Sequence, residues 1–248
     1  MKEICPICKG KSLAHDVVDF NKSCIEKDNK YLVKSLIPIY YFLCEKCNFC
    51  YAPTFKKWSK KDFEKYIYNK DYIKVDPDYE NNRPFYNSKL LINTFKNNYK
   101  NIKHLDYGGG NKTLSKFLQE KNWSTKSYDK FVDINTNIQK LGKFNLITLF
   151  EVFEHVVDID ELMNDLSLLI EDDGLIIFST LLSDKNIKKN SRLQWWYAAP
   201  RNGHISLFSK KSLYVLASKY NFKIAHNNSN IHFLYKDINS TIVKTVLR

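Results

Sequence analysis

Apolar positions along this chain follow two rhythms. Compact apolar runs at 102–107, 125–129, 144–149, 174–180, 222–226 and 231–235 have the length and β-branched or aromatic content of strands. Between them, residues 112–121, 158–170 and 209–220 carry apolar residues at helical spacing, with Asp158 and Ser209 placed as N-caps of the last two. Strand and helix therefore alternate through the second half, as in a parallel sheet covered by helices. Asn227-Asn228-Ser229-Asn230 is a short turn-rich link that suits an antiparallel final pair. Nearer the start, Leu36-Ile37-Pro38-Ile39-Tyr40-Tyr41-Phe42-Leu43 reads as a strand leading into Cys44. Leu90, Leu91, Ile92 and Phe95 form the apolar stripe of a helix. These patterns divide the chain into a cysteine-bearing module at 1–56, a helical connector or lid at 57–100 and an α/β domain at 101–248.

The 248 residues, 44% of them apolar, are enough for one such domain and a small appendage. No run approaches the ~20 apolar residues of a membrane span, and Met1-Lys2-Glu3-Ile4-Cys5-Pro6 has no apolar leader region. A cytoplasmic protein without membrane insertion is the expectation. The formal charge of +12 favours anionic partners. The lysines are scattered, with no arginine-rich block, so the charge reads as composition before it reads as a nucleic-acid face.

All six cysteines lie in the first 50 residues. Cys5-Pro6-Ile7-Cys8 and Cys44-Glu45-Lys46-Cys47 are two Cys-x-x-Cys pairs. That spacing lets two thiolates reach one tetrahedral zinc ion, and two pairs close its shell, so a structural Zn²⁺ held by Cys5, Cys8, Cys44 and Cys47 is expected. Cys50 reads as a buried thiol beneath the second pair, and Cys24 as a lone thiol.

Three of the seven glycines are consecutive, Gly108-Gly109-Gly110, between the strand at 102–107 and the helix beginning near Lys112. The backbone there must turn sharply and admit a ligand closely. The third glycine of a dinucleotide fingerprint is replaced by Thr113, and no phosphate-loop Gly-Lys-Ser/Thr follows. Instead Asp106 ends the strand, and an acid suits a cation better than a pyrophosphate.

At this point the sequence resembles the class I S-adenosylmethionine-dependent methyltransferases. His104-Leu105-Asp106-Tyr107-Gly108-Gly109-Gly110-Asn111 looks like their cofactor loop, with Lys112 where glycine is common. Ser127-Tyr128-Asp129 ends the second strand, where the family's acid accepts the ribose hydroxyls. Phe144 to His155 resembles the fourth-strand motif, with Asn145 in place of the usual aspartate, and Asp172-Asp173-Gly174 followed by Leu175 to Thr180 resembles the turn and fifth strand. The cysteine-rich start looks like that of bacterial members with a zinc knuckle. The resemblance spans about 80–235 and implies a Rossmann-like, doubly wound, mostly parallel seven-stranded sheet with its last strand antiparallel. It also implies S-adenosylmethionine as cofactor, bound by Asp106, Gly108, Gly109, Gly110, Asp129, Phe150, Glu151 and His155, and Arg83 near the cofactor carboxylate.

Trp195-Trp196-Tyr197-Ala198-Ala199-Pro200-Arg201-Asn202-Gly203-His204 follows the fifth strand and has the composition of a pocket wall. Trp196, Tyr197 and Arg201 are candidate acceptor-binding residues, with Arg201 able to hold an anion. His204 is the first candidate for general base; a cap of the following helix, or a prop of the loop, is its alternative role. The expected acceptor is a small molecule, an oxygen of a sugar or surface-polysaccharide precursor, with RNA as the alternative.

Overall fold

The computed structural model describes residues 1–247; Arg248, the last residue of the expected 101–248 segment, lies outside them. In chain order the strands and helices are β1 (Lys2–Ile4), β2 (Lys11–Asp19), β3 (Pro38–Cys44), β4 (Cys50–Tyr51), α1 (Lys60–Tyr66), α2 (Asn82–Thr94), β5 (Lys103–Tyr107), α3 (Thr113–Gln119), β6 (Ser124–Tyr128), β7 (Phe144–Leu149), α4 (Ile159–Leu169), β8 (Ile170–Ser179), β9 (Ser206–Leu207), α5 (Lys210–Lys219), β10 (Lys223–His226), β11 (Ile231–Tyr235) and α6 (Thr241–Val246). Two compact units share these elements. One takes 1–77, 153–160 and 181–216; the other takes 78–152, 161–180 and 217 onward.

The second unit is built on a six-stranded sheet in the order β10-β11-β8-β7-β5-β6. β6, β5, β7 and β8 run parallel, and β11 runs antiparallel to both β8 and β10. Burial explains the order. β7, Phe-Asn-Leu-Ile-Thr-Leu, is apolar almost throughout and is covered on both faces, as a central parallel strand must be. β6, Ser-Thr-Lys-Ser-Tyr, is polar and occupies an edge. Leu91, Phe95, Ile102, Leu118, Leu146 and Leu175 lie in the core of this unit.

The chain passes from β5 to β6 on one side and returns to β7 on the other side of β5. Strand order therefore reverses at the β5–β7 pair. The crevice outside the carboxyl ends of those strands is where an open α/β sheet binds its ligand.

The expected seventh strand is absent among the described residues. After β6 the chain makes turns instead. The Asp133 amide donates to the Asp129 carbonyl at 2.7 Å, and the Asp133 carboxylate accepts from the Asp129 amide at 2.9 Å. A short 3-10 helix at Ile138–Leu141 follows, its Asn137 cap accepting from the Gln139 amide. Asp and Asn bonding to nearby backbone in this way compete with a sheet ladder.

The first unit holds a five-stranded antiparallel sheet in the order β1-β2-β3-β4-β9. Tyr41, Phe55, Ile67, Tyr197, Ala198 and Leu207 are buried in its core. α1 is held at its start by a reciprocal capping box between Ser59 and Asp62. Among the described residues no helix is long and apolar enough to cross a membrane.

Candidate functional site

The glycine turn sits at the carboxyl end of β5, and each of its first two glycines is required. Gly108 has φ of +77°, and a Cβ there would stand 2.5 Å from Val152 Cγ2. A Cβ on Gly109 would stand 2.3 Å from Ser127 Oγ and 2.5 Å from Asp106 Oδ2. The next residues keep the turn left-handed. Gly110 has φ of +49° and Lys112 has +66°, which explains why glycine suits the latter position. Lys112 repays part of its strain through Nζ, 2.9 Å from Asp133 Oδ1.

Two polar atoms beside this turn are buried and without a partner: Asp106 Oδ2 and Ser127 Oγ. Burial, reinforced by the negative charge of Asp129, pushes the Asp106 carboxyl up to about 7. A cation arriving at Asp106 would relieve both conditions. The other face of this acid is organised by a chain of side chains. Thr148 hydrogen-bonds to Asp106, and His104 lies between Thr125 Oγ1 at 2.7 Å and Thr148 Oγ1 at 2.8 Å. Burial holds His104 down at about 3, so it is neutral at ordinary pH.

Asp129 ends β6. Its Oδ2 accepts from the Gly110 amide at 3.0 Å, and its Oδ1 from the Phe131 amide at 2.8 Å. Oδ1 accepts a second time, from the Val132 amide at 3.3 Å, while Oδ2 keeps a second acceptor site. Beyond β7, Phe150 packs at the edge of the core. Glu151 follows in a left-handed conformation, φ +56°. Ser179 pins it twice: the serine hydroxyl accepts from the Glu151 amide at 2.7 Å and donates to Oε1 at 2.8 Å. A strained non-glycine residue clamped this way is a mark of a functional position. Asn145 replaces the expected acid and uses both ends of its amide. Oδ1 accepts from the Lys103 amide and Nδ2 donates to the Asn101 carbonyl, each at 2.8 Å.

The first unit brings together His155, His204 and a residue the sequence reading did not assign, Glu154. One ligand atom from each lies within 4.8 Å of the others. Glu154 is fully buried, and its Oε1 accepts from the Tyr197 hydroxyl at 2.6 Å. His155 Nδ1 is 3.1 Å from the Gly203 carbonyl, and His204 Nδ1 is 3.0 Å from the Tyr197 carbonyl. A carbonyl only accepts, so both Nδ1 atoms carry hydrogen. Gly203 is fixed by the same cluster: its φ is +84°, and a Cβ would meet His155 Nδ1 at 3.0 Å. His204 also has Cys24 Sγ 3.6 Å from its Nδ1, and its carbonyl accepts from the Tyr41 hydroxyl at 2.6 Å.

The remaining candidates are placed as follows. Tyr197 is buried and serves Glu154; Trp196 is half-buried, edge-on to Tyr197. Arg201 is buried, its Nη1 donating to the Ile67 carbonyl at 3.0 Å and its Nη2 to Asn69 Oδ1 at 3.4 Å. α5 is capped by Ser209 and not by His204: Ser209 Oγ accepts from the Ser212 amide at 3.0 Å.

The four cysteines of the paired motifs cluster, with sulphur atoms within 4.8 Å of one another. The two hairpins are built alike. The amide of Lys9 donates to the Cys5 carbonyl, and that of Asn48 to the Cys44 carbonyl; both Lys9 and Asn48 are left-handed. The Cys44 sulphur accepts from the amides of Lys46 and Cys47 at 3.4 Å each. The hydrogen bond with Cys47 is the main cause that lowers Cys5 to about 5. Four sulphurs with a thiolate-stabilising backbone are the donor set of a closed zinc shell. Cys50 is buried outside this cluster.

Comparison with known proteins gives the class. Residues 79–227, more than half of the chain, match a family model described as a methyltransferase domain. The chain belongs to that family. No curated protein matches it. Among solved structures it is similar to a putative O-methyltransferase from Nostoc punctiforme PCC 73102, at 10% identity over 66% of this chain and 59% of that one, TM-score 0.46. It is also similar to human N-acetylserotonin methyltransferase in complex with SAM, at 13% identity over 60% and 51%, TM-score 0.44. A third is the plantazolicin methyltransferase BpumL in complex with SAH, at 12% identity over 68% and 91%, TM-score 0.48. The chain thus spans about six-tenths of the length of the first and half of the second.

Proposed function

We propose that the chain transfers the methyl group of S-adenosylmethionine to an oxygen of a small molecule, of the kind found in sugars and surface-polysaccharide precursors. The observation that carries this reading is the buried Asp106 carboxylate beside a turn from which side chains are excluded. S-adenosylmethionine is cationic at its ammonium and sulfonium. Asp106 and the turn Gly108–Gly110 would hold the amino-acid end, Asp129 the ribose hydroxyls, and Phe150 and Glu151 the adenosine side, with His155 near the cofactor.

The electrophile is activated by its own charge, so the protein's work is alignment and removal of the acceptor proton. Alignment is worth up to ~7–11 kcal/mol, and a general base ~10²–10⁴ in rate. His204 takes the base role in this reading, supported by its fixed tautomer and its place beside the buried Glu154. Trp196, Tyr197 and Arg201 belong to the acceptor side. Zn²⁺ at Cys5, Cys8, Cys44 and Cys47 is structural, since four thiolates leave no position for water. In functional terms residues 1–56 would serve the metal, 57–100 act as a helical connector or lid and 101–248 hold the cofactor.

Methyl-labelled S-adenosylmethionine, incubated with the protein and a size-fractionated cell extract, tests the reading. Label should enter the low-mass fraction and depend on His204. Label confined to RNA or protein would overturn the acceptor class.

A further inference from the structure

We infer that Glu154, His155 and His204 form a second metal site, which holds a divalent first-row ion through two imidazoles and one carboxylate. This deepens the reading just given and rests on it.

The donor set is the two-histidine, one-carboxylate combination that leaves coordination positions open for a further ligand. It differs in kind from the four-sulphur cluster, which is closed. The three side chains are brought together from two segments. Glu154 and His155 are adjacent, and His204 stands 4.9 Å from His155 between ring centroids. One donor atom from each of the three lies within 4.8 Å of the others.

The surroundings are those of a metal site as well. A metal-bound histidine characteristically donates its other ring N–H to a backbone carbonyl or carboxylate, which fixes its tautomer and orientation. Both histidines do this, His155 to Gly203 and His204 to Tyr197, at 3.1 and 3.0 Å. In the neutral rings that bond directs Nε2 as the ligating atom. The carboxylate is oriented in the same manner by the Tyr197 hydroxyl at 2.6 Å. One residue, Tyr197, therefore supports two of the three ligands. Gly203 leaves the space beside His155 clear.

In chemical terms the ion is a Lewis acid. Bound there, it would lower the pKa of a coordinated hydroxyl, whose proton would leave to water. With the ion in place His204 is a ligand, and the ion supplies the activation otherwise assigned to it as a base.

The test uses the full chain, dialysed against citrate, a weak chelator that leaves a four-thiolate site loaded, and titrated with Mn²⁺, a hard ion that thiolates bind poorly. Electron paramagnetic resonance reads the loss of the free-ion signal. One saturable site is expected in the wild type, weakened roughly tenfold or more in His155→Gln and in Glu154→Gln. His155→Gln is the milder change, at a half-buried position, and serves if Glu154→Gln does not fold. S-adenosylhomocysteine affinity, measured on the same samples, should survive in Glu154→Gln. No Mn²⁺ site in the wild type, or a site unchanged in His155→Gln, overturns the inference and leaves the methyl-transfer reading standing. Absent S-adenosylhomocysteine binding beside intact Mn²⁺ binding does the reverse.

Discussion

Asp129 and Gly110 are joined by a hydrogen bond of 3.0 Å from the glycine amide to the Oδ2 of the acid, which ties the end of the second sheet strand to the glycine turn. One carboxylate thereby shapes the turn and keeps acceptor capacity for a ligand. Asp129→Ala should weaken S-adenosylhomocysteine binding by more than ~1 kcal/mol, the scale of one lost charge-assisted hydrogen bond, measured by calorimetry. Unchanged affinity would remove Asp129 from the site.

Gly109 admits no side chain, because Ser127 Oγ and Asp106 Oδ2 occupy the space a Cβ needs. Gly109→Ala should cost about 1–3 kcal/mol of stability in denaturant unfolding, as overpacking does. It should also lower cofactor affinity, since relief of the clash displaces Asp106. An alanine variant as stable as the wild type would show that the two side chains move aside freely.

Asp106 makes cofactor binding depend on pH. Its carboxyl stands at about 7 in the free protein, chiefly through burial. A cationic ligand pairs with the ionised form, so affinity should fall about tenfold for each pH unit below 7 and level off above it. Stability has the opposite sign. The folded value lies above the unfolded one, so the contribution is full below the unfolded value and is lost as pH rises through about 7. Thermal melts without cofactor should therefore decline over that window, and cofactor should restore them. A binding curve flat from pH 6 to 8 would contradict the assignment.

The four-cysteine cluster should hold one zinc ion per chain by metal analysis, and Cys47→Ser should lose it. Structural zinc supplies ~10–16 kcal/mol of apparent folding free energy in small modules. A strong chelator should accordingly unfold the β1–β4 region, read by proteolysis of the first 50 residues. A metal-free chain with the same protease resistance would refute the zinc site.

Much of this architecture was legible in the sequence, since strands of the second unit are short apolar runs between periodic helices. The predicted 144–149 strand is β7, and the predicted antiparallel final pair is β10–β11. The glycine turn stood out because glycine is scarce. What escaped notice depends on distant residues. β9 is only two residues long and exists because it pairs with β4, about 156 positions earlier. β2 was obscured by an irregularity between Ala14 and Asp16, which breaks its period of two. Glu154 lies within the fourth-strand motif, but nothing local links it to His204, 50 residues away, or to Tyr197, which orients it from 43 away. The seventh strand was implied by resemblance alone; no residues of this chain had been assigned to it.

Titration of the wild-type chain with S-adenosylhomocysteine, alongside Asp106→Asn, addresses the cofactor slot at its chemical origin. A single saturable site, lost or severely weakened when the charge of Asp106 is removed, is the predicted result. Binding equally tight in Asp106→Asn, or no binding by the wild type, would contradict it.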